Sequence, residues 1–277
     1  MAGPGAAAGR PQGRETEVAD SIERSTVPAG EAEKDRQFVT ALYRGLEVLR
    51  AFRPGDRELG NQTLSERTGI PKPTITRLTH TLTKLGYLQH SGSRRQYRLG
   101  GEVLALGYSY FMGLELRERA RTLMQAMASE VNAVISLGIG ADTEMIYVES
   151  VRGAGPVTLD LGLGARIPMA RTSMGRAYLA ALGEAEREAV LARLARHDPE
   201  GLERCRAEID QAVEDIASRG FVMSVGSWHP EVNAVATPLK DRRSGTLYCL
   251  NCGGPGFMLT PERLEQDLGP RLVALAQ

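Results

Sequence analysis

Thr63-Leu64-Ser65-Glu66, then Thr68-Gly69-Ile70-Pro71-Lys72-Pro73, then Thr74-Ile75-Thr76-Arg77-Leu78-Thr79-His80-Thr81-Leu82-Thr83-Lys84-Leu85-Gly86 is the stretch that decides the fold of the N-terminal part. Thr63 is placed to cap a helix whose third residue is Glu66, the capping-box spacing. That helix is short, because Thr68-Gly69-Ile70-Pro71 ends it. Pro71 and Pro73 permit a new start with Lys72 in the first turn. Ile75, Leu78, Leu82 and Leu85 then recur at spacings of three and four and form a buried stripe. The other face shows Thr74, Thr76, Arg77, Thr81 and Lys84. Gly86 closes the helix. Two strand-like pieces follow, Tyr87–His90 and Gln96–Leu99, joined by Ser91-Gly92-Ser93-Arg94-Arg95, a hairpin loop. Short helix, glycine-containing turn, second helix and basic hairpin make a winged helix-turn-helix.

Outward from this core, Phe38, Ala41, Leu42, Leu46, Val48 and Leu49 fit a helical stripe that Pro54-Gly55 stops. Residues 1–35, rich in Gly, Ala, Pro and Glu without an apolar period, read as a disordered tail. C-terminal to the hairpin, a linking helix is expected from Glu102 to about Met112 and another over Leu116–Val131. Strand and helix signals then alternate. Strands are expected at Ala133–Ile139, Met145–Val151, Val157–Leu161, Phe221–Val225, Asn233–Leu239 and Leu247–Cys252, and helices at Ser173–Leu182, Glu184–Ala195, Leu202–Arg219 and Pro261–Ala276. No solenoid period repeats.

At about 150 residues per domain, the 277 residues suggest two domains. Three cysteines exclude a disulfide-stapled scaffold. No apolar run reaches the roughly 18 residues of a membrane span, and no signal-peptide pattern opens the chain, so the expected location is the cytoplasm. The formal net charge is zero, but it is unevenly distributed. Residues 1–66 carry 9 basic and 11 acidic side chains, and residues 102–277 carry 18 and 23. Between them, residues 67–101 carry 7 basic and no acidic side chains: Arg67, Lys72, Arg77, Lys84, Arg94, Arg95 and Arg98. An acid-free run on a helix-turn-helix pattern points to a polyanion partner.

That partner is expected to be double-stranded DNA. Lys and Arg neutralise phosphates and release counterions, and a helix showing Thr and Arg near its start can meet guanine edges and thymine methyls. Lys72, Thr74, Thr76, Arg77, Lys84, Arg94, Arg95 and Arg98 are the candidate DNA contacts, with His80 and His90 beside them. The alternative for this face is ordinary solvation. Cys249-Leu250-Asn251-Cys252 lacks a second zinc-ligand pair, and residues three apart in a strand point to opposite faces, so it reads as core and not as a metal or redox motif. The histidines lack metal-ligand spacing, and no hydrolase, zincin or nucleotide-binding motif occurs, so no metal, cofactor or enzymatic activity is expected. Trp228 and His229, in the loop Gly226 to Glu231, are placed to line a ligand site or simply to pack a turn.

Ala41-Leu42-Tyr43-Arg44-Gly45-Leu46-Glu47-Val48-Leu49, Thr63–Glu66, Thr68–Lys72, Leu85-Gly86-Tyr87-Leu88 and Tyr97-Arg98-Leu99-Gly100 resemble the N-terminal domain of IclR-type bacterial transcriptional regulators. Gly164-Ala165-Arg166-Ile167-Pro168, Thr172-Ser173-Met174-Gly175-Arg176-Ala177, Arg219-Gly220-Phe221 and Val235-Ala236-Thr237-Pro238-Leu239 resemble the effector domain of the same family, so the likeness covers residues 38–277 in order. Leu106–Tyr110 and Thr172–Gly175 are most similar to its aromatic-acid catabolism branch. The resemblance implies an α+β fold: a winged helix-turn-helix over 36–101, a linker helix over 102–114 and a GAF-like α/β effector-binding domain over 115–277. It also implies a homodimer or tetramer that answers a small organic or aromatic acid.

Carried over by position, the effector site falls on Ser173, Met174, Ser224, Val232, Ala234, Asn251 and Gly253. Asn251 and Gly253 share a strand face, and Ser173 opens a helix whose free amides seat an anion. Against this stands the reading of Asn251 and Ser224 as satisfied core polar groups. Three departures stand out. A family carboxylate is absent at Ser224, Ser227–Asn233 holds Trp-His-Pro-Glu in place of an acidic run, and Gln277 comes earlier than the end of the usual last helix. The expected function is a ligand-responsive, sequence-specific DNA-binding regulator. The alternative is a GAF-like sensor or enzyme whose N-terminal domain makes protein contacts.

Overall fold

Glycine and proline set the limits of two of the N-terminal helices where their backbone chemistry demands. In the computed structural model, which describes residues 37–92, 96–154 and 161–277, helix α1 is Thr40–Arg50, α2 is Asn61–Thr68 and α3 is Lys72–Lys84. Gly69 turns the chain out of α2 at φ 67, a left-handed conformation that costs glycine little. Pro71 and Pro73 flank the first residue of α3, where a missing amide hydrogen costs nothing. At the far end Gly86, at φ 80, lets the Tyr87 amide reach back to the Leu82 carbonyl at 2.9 Å. Strands β1 (Leu59–Gly60), β2 (Leu88–Ser91) and β3 (Gln96–Leu99) pair antiparallel in the order β1-β3-β2. Val48, Phe52, Leu64, Ile70, Ile75, Leu88 and Tyr97 form the core beneath them. Helix α4, Gly101–Met112, completes this unit, and the chain divides after Gly113.

The second unit is a six-stranded antiparallel sheet covered on both faces. Its strands are β4 (Val134–Ala141), β5 (Glu144–Arg152), β6 (Arg166–Pro168), β7 (Val222–Val225), β8 (Val232–Lys240) and β9 (Leu247–Pro255), in the order β6-β5-β4-β9-β8-β7. Helix α5 (Glu115–Val131) covers one face with a C-terminal helical segment: Pro261–Arg263, a π-wound turn at Leu264–Leu268, and Gly269–Leu275. Helices α6 (Ser173–Ala181), α7 (Glu184–His197) and α8 (Pro199–Arg219) cover the other. Strand alternation sends Cys252 into the first core and Cys249 into the second. Burial pushes both thiols up, Cys252 to about 12, so neither is a ready thiolate.

Two expectations need correction, and two short strands were not expected. Thr63 is not a cap: α2 begins two residues earlier, after an extended Gly60, and Glu66 pairs with Gln62. The strands β1 and β6, of two and three residues, are too short to show a period. Pro199 starts α8 three residues before the expected Leu202, because Asp198 accepts the Gly201 amide at 2.7 Å as its cap. The expected tail 1–35 and residues 157–160 of the expected strand Val157–Leu161 lie outside the described residues, and Leu161 is not in a strand. Among the described residues, no helix is long and apolar enough to cross a membrane.

Candidate functional site

The basic face of the first unit is built on α3. Ile75 and Thr79 point into the core, which leaves Lys72, Thr76, Arg77, Thr81 and Lys84 exposed and Thr74 half-buried. Among the described residues, no carboxylate pairs with Lys72, Arg77 or Lys84. Arg98, exposed on β3, donates to Gln89 of β2 at 3.1 Å, which holds its guanidinium along the hairpin. Arg94 and Arg95 lie outside the described residues. Arg67, part of the same acid-free run, is directed inward, with its guanidinium on Asp56 and on the Ala51 carbonyl at 2.9 Å. Burial raises the Asp56 carboxyl, but the Arg67 and Arg53 hydrogen bonds outweigh it and hold the pKa below its usual value. His90 sits edge-on to Tyr97 at 5.2 Å.

In the second unit two cross-strand rows floor a cavity. Ser150, Ser136, Asn251, Ala236 and Val222 stand opposite one another across β5-β4-β9-β8-β7. Two residues along lie Arg152, Val134, Gly253, Ala234 and Ser224. Both rows face α6, and their small members, Gly253, Ala234 and Ala236, keep that face shallow. A cavity of about 70 Å³ opens above them, room for several waters or one compact organic molecule.

Ser173, Ser224, Val232, Ala234, Asn251 and Gly253 all line this cavity. Met174 does not. It is fully buried, with its sulfur where a Cβ on Gly138 would stand, because one residue further along α6 turns it onto the sheet. Tyr147, Ile167, Leu161 and Trp228 add apolar wall, and Arg152 is the one charged residue among the described lining. Of these, Trp228 was singled out from the sequence as a ligand-lining candidate; Tyr147, Ile167, Leu161 and Arg152 were not. For Ser136 the signal is its register partner Asn251, visible only once β4 and β9 are known to pair. Tyr147 hydrogen-bonds Ser136, and burial pushes its hydroxyl well above the usual range. Ser136 in turn meets Ser150 at 3.1 Å, and Ser150 donates to the Leu161 carbonyl at 3.3 Å.

The polar groups divide sharply. Thr172 caps α6: its hydroxyl accepts the Gly175 amide at 3.2 Å and donates to the Pro168 carbonyl at 2.8 Å. The amides of Ser173 and Met174 head the helix with no intrahelical acceptor. The Ser173 hydroxyl, in a residue 1% exposed, has no partner among the described residues. The side chains of Ser224 and Asn251, both buried, likewise have no hydrogen-bond partner there. Gly175 allows the close packing, since a Cβ would strike the Met169 backbone. One turn on, the buried Arg176 donates to the Met223 carbonyl at 3.3 Å and ties α6 to β7. No His, Cys, Asp or Glu cluster among the described residues could hold a metal ion.

A family model for the IclR helix-turn-helix domain matches residues 41–92, and one for the bacterial transcriptional regulator IclR C-terminal region matches 108–277. The HTH-type transcriptional regulator TsaQ1/TsaQ2 of Comamonas testosteroni is 31% identical over 242 residues, 87% of each chain. The Pca regulon regulatory protein of Pseudomonas putida is 30% identical over 253 residues, 88% of this chain and 84% of that one. The crystal structure of an IclR family transcriptional regulator from Brucella abortus is 42% identical with a TM-score of 0.79, over 88% of this chain and 92% of that one. Two family models matched in order place this chain in the IclR family of bacterial transcriptional regulators, ligand-responsive DNA-binding proteins and not enzymes.

Proposed function

We propose that the sheet-floored cavity takes a small organic or aromatic carboxylate and that its occupancy sets the affinity of α3 and the hairpin for an operator. The observation that carries this is the Ser173 hydroxyl: buried, without a partner, at the head of α6 and on the cavity wall. A buried polar group left unpaired costs about 1–3 kcal/mol, which a bound oxygen recovers. The helix start favours an anion, and Arg152 adds positive charge to a described lining that has no carboxylate. Tyr147, Trp228, Ile167 and Leu161 offer apolar contact to a ring or chain, and Ser224 and Asn251 offer hydrogen bonds to its remaining polar atoms. Val232, Ala234 and Gly253 complete the site, without Met174.

In this reading residues 36–101 bind double-stranded DNA through Lys72, Thr74, Thr76, Arg77, Lys84 and Arg98 with Arg94 and Arg95, residues 102–114 link, and residues 115–277 sense. The protein works as a cytoplasmic homodimer or tetramer on a pseudo-palindromic site, without cofactor or metal. One short helix reads only a few base pairs, too few to single out a promoter. A thermal-shift screen of small carboxylic and aromatic acids against their neutral amides tests the sensor. An acid at a hundred times its Kd should stabilise the protein by about 2.7 kcal/mol. Equal shifts from acid and amide would remove the carboxylate seat.

A further inference from the structure

The five threonines of α3 are not equivalent, and their hydrogen bonds sort them. Thr79 is fully buried and donates to the Ile75 carbonyl at 2.9 Å, and Thr83 donates to the Thr79 carbonyl at 2.7 Å. Among the exposed ones, Thr81 donates to the Arg77 carbonyl at 3.1 Å, and Thr76 to the Lys72 carbonyl at 3.0 Å. Such bonds to the carbonyl one turn back use up the single hydroxyl proton. Thr76 is held twice, since its oxygen also accepts from Asn61 Nδ2 of α2 at 3.1 Å. Turning the Asn61 amide over exchanges donor for acceptor and still leaves the Thr76 proton inside the protein. Only Thr74, in the first turn, has a hydroxyl with no partner among the described residues.

A threonine whose hydroxyl is committed inward offers an incoming base its γ-methyl. We propose that Thr76 and Thr81, on either side of Arg77, read the C5-methyl groups of thymines that flank the base met by Arg77. Asn61 is the positioning residue that fixes Thr76 for this, and Thr74 is the threonine that donates a hydrogen bond. The assignment rests on α3 being the DNA-reading helix. It goes further by stating which chemical feature of the major groove two of its residues select: a methyl, which only thymine carries there among the unmodified bases.

The test uses the full-length protein and duplexes selected by it from a random library. Each thymine is replaced in turn by deoxyuridine, which removes the methyl and leaves base pairing intact. Replacement at the two reading positions should weaken binding about fourfold per methyl, and replacement elsewhere should not. Thr76→Ser, which keeps the hydroxyl and loses the methyl, should abolish the preference for thymine over uracil at one position, and Thr76→Val should retain it. Asn61→Ala should blunt the same preference at an unchanged thermal midpoint. Equal binding of thymine and uracil duplexes, or an undiminished preference in Thr76→Ser, overturns the methyl reading and leaves DNA binding by α3 standing. Failure to select any sequence overturns both.

Discussion

Asn251 faces the cavity from β9 with neither end of its amide engaged by the protein among the described residues, so its contribution should appear in binding and not in folding. We predict that Asn251→Leu loses the response to effector and leaves operator affinity within about twofold, because leucine neither donates nor accepts and leaves the ligand's polar atoms unpaired at about 1–3 kcal/mol each. Effector titration of the variant by calorimetry checks this. An unchanged affinity would move the ligand elsewhere in the domain. His229 calls for a pH experiment. Its Nε2 is buried without a partner among the described residues, and burial, then Arg171, hold its pKa below the usual 6.5 against Glu231. A depressed histidine pKa means that the unfolded chain takes up the proton first. The native state should therefore lose stability as pH falls from above 6.5 to below the folded value. Thermal midpoints across that range should drop less in His229→Asn than in the parent. At this scale the family resemblance pointed to Asn251 and Gly253, and their spacing of two puts both on one strand face. Ser136 and Tyr147 were not legible: Ser136 comes beside Asn251 only through the pairing of β4 with a strand more than a hundred residues away, and Tyr147, on β5, joins it by a hydrogen bond.

Helix α3 illustrates how an element is read from its ends. Pro71, Pro73 and Gly86 act through backbone chemistry that needs no tertiary partner, so its limits were visible in the sequence to within two residues. The start of α2 was not, because Thr63 satisfies the capping pattern while the extended Gly60 and the pairing of β1 with β3 decide where the helix begins. Arg67 likewise counts as basic in the sequence but points to Asp56 in the fold. We predict that Arg77→Ala weakens operator binding by about 1–3 kcal/mol and relaxes base preference at one position. Arg98→Ala should weaken all sequences alike; competition binding with operator and random duplexes separates the two effects. Helix α4 makes a different demand. It buries no residue, and Leu104 is 76% exposed with Leu106, Tyr108, Tyr110 and Met112 also open. So apolar a surface calls for cover in solution, and the proposed cover is a second copy. Leu104→Glu combined with Tyr108→Glu, one turn apart, should lower the mass found by sedimentation and cost operator affinity. An unchanged mass would place the seam elsewhere.

The whole molecule joins a unit that carries an acid-free run, residues 67–101, to one with an excess of acidic residues, and zero net charge conceals the contrast. The order of the two domains was legible because each has its own motifs. The cavity was legible only through the family resemblance and not from the residues alone, because it is a property of six strands in register and of what is missing from Gly253 and Ala234. If occupancy of that cavity shifts operator affinity, the coupling is reciprocal: operator must shift effector affinity by the same factor. We predict equal factors in the two titrations, and operator affinity whose logarithm falls with log salt at a slope of about −4 to −5 per domain if about five phosphates are neutralised. Unequal factors would mean that a third species, such as a change in subunit number, is linked to both. The molecule already carries the means to follow these titrations. Trp228 is the chain's single tryptophan, it lines the cavity, and its ring packs tilted against His229 with centroids 4.3 Å apart. Its emission therefore comes from one place, and a ligand that displaces water from the indole should shift or quench it. Effector binding, with and without operator, becomes measurable by intrinsic fluorescence in the unlabelled protein.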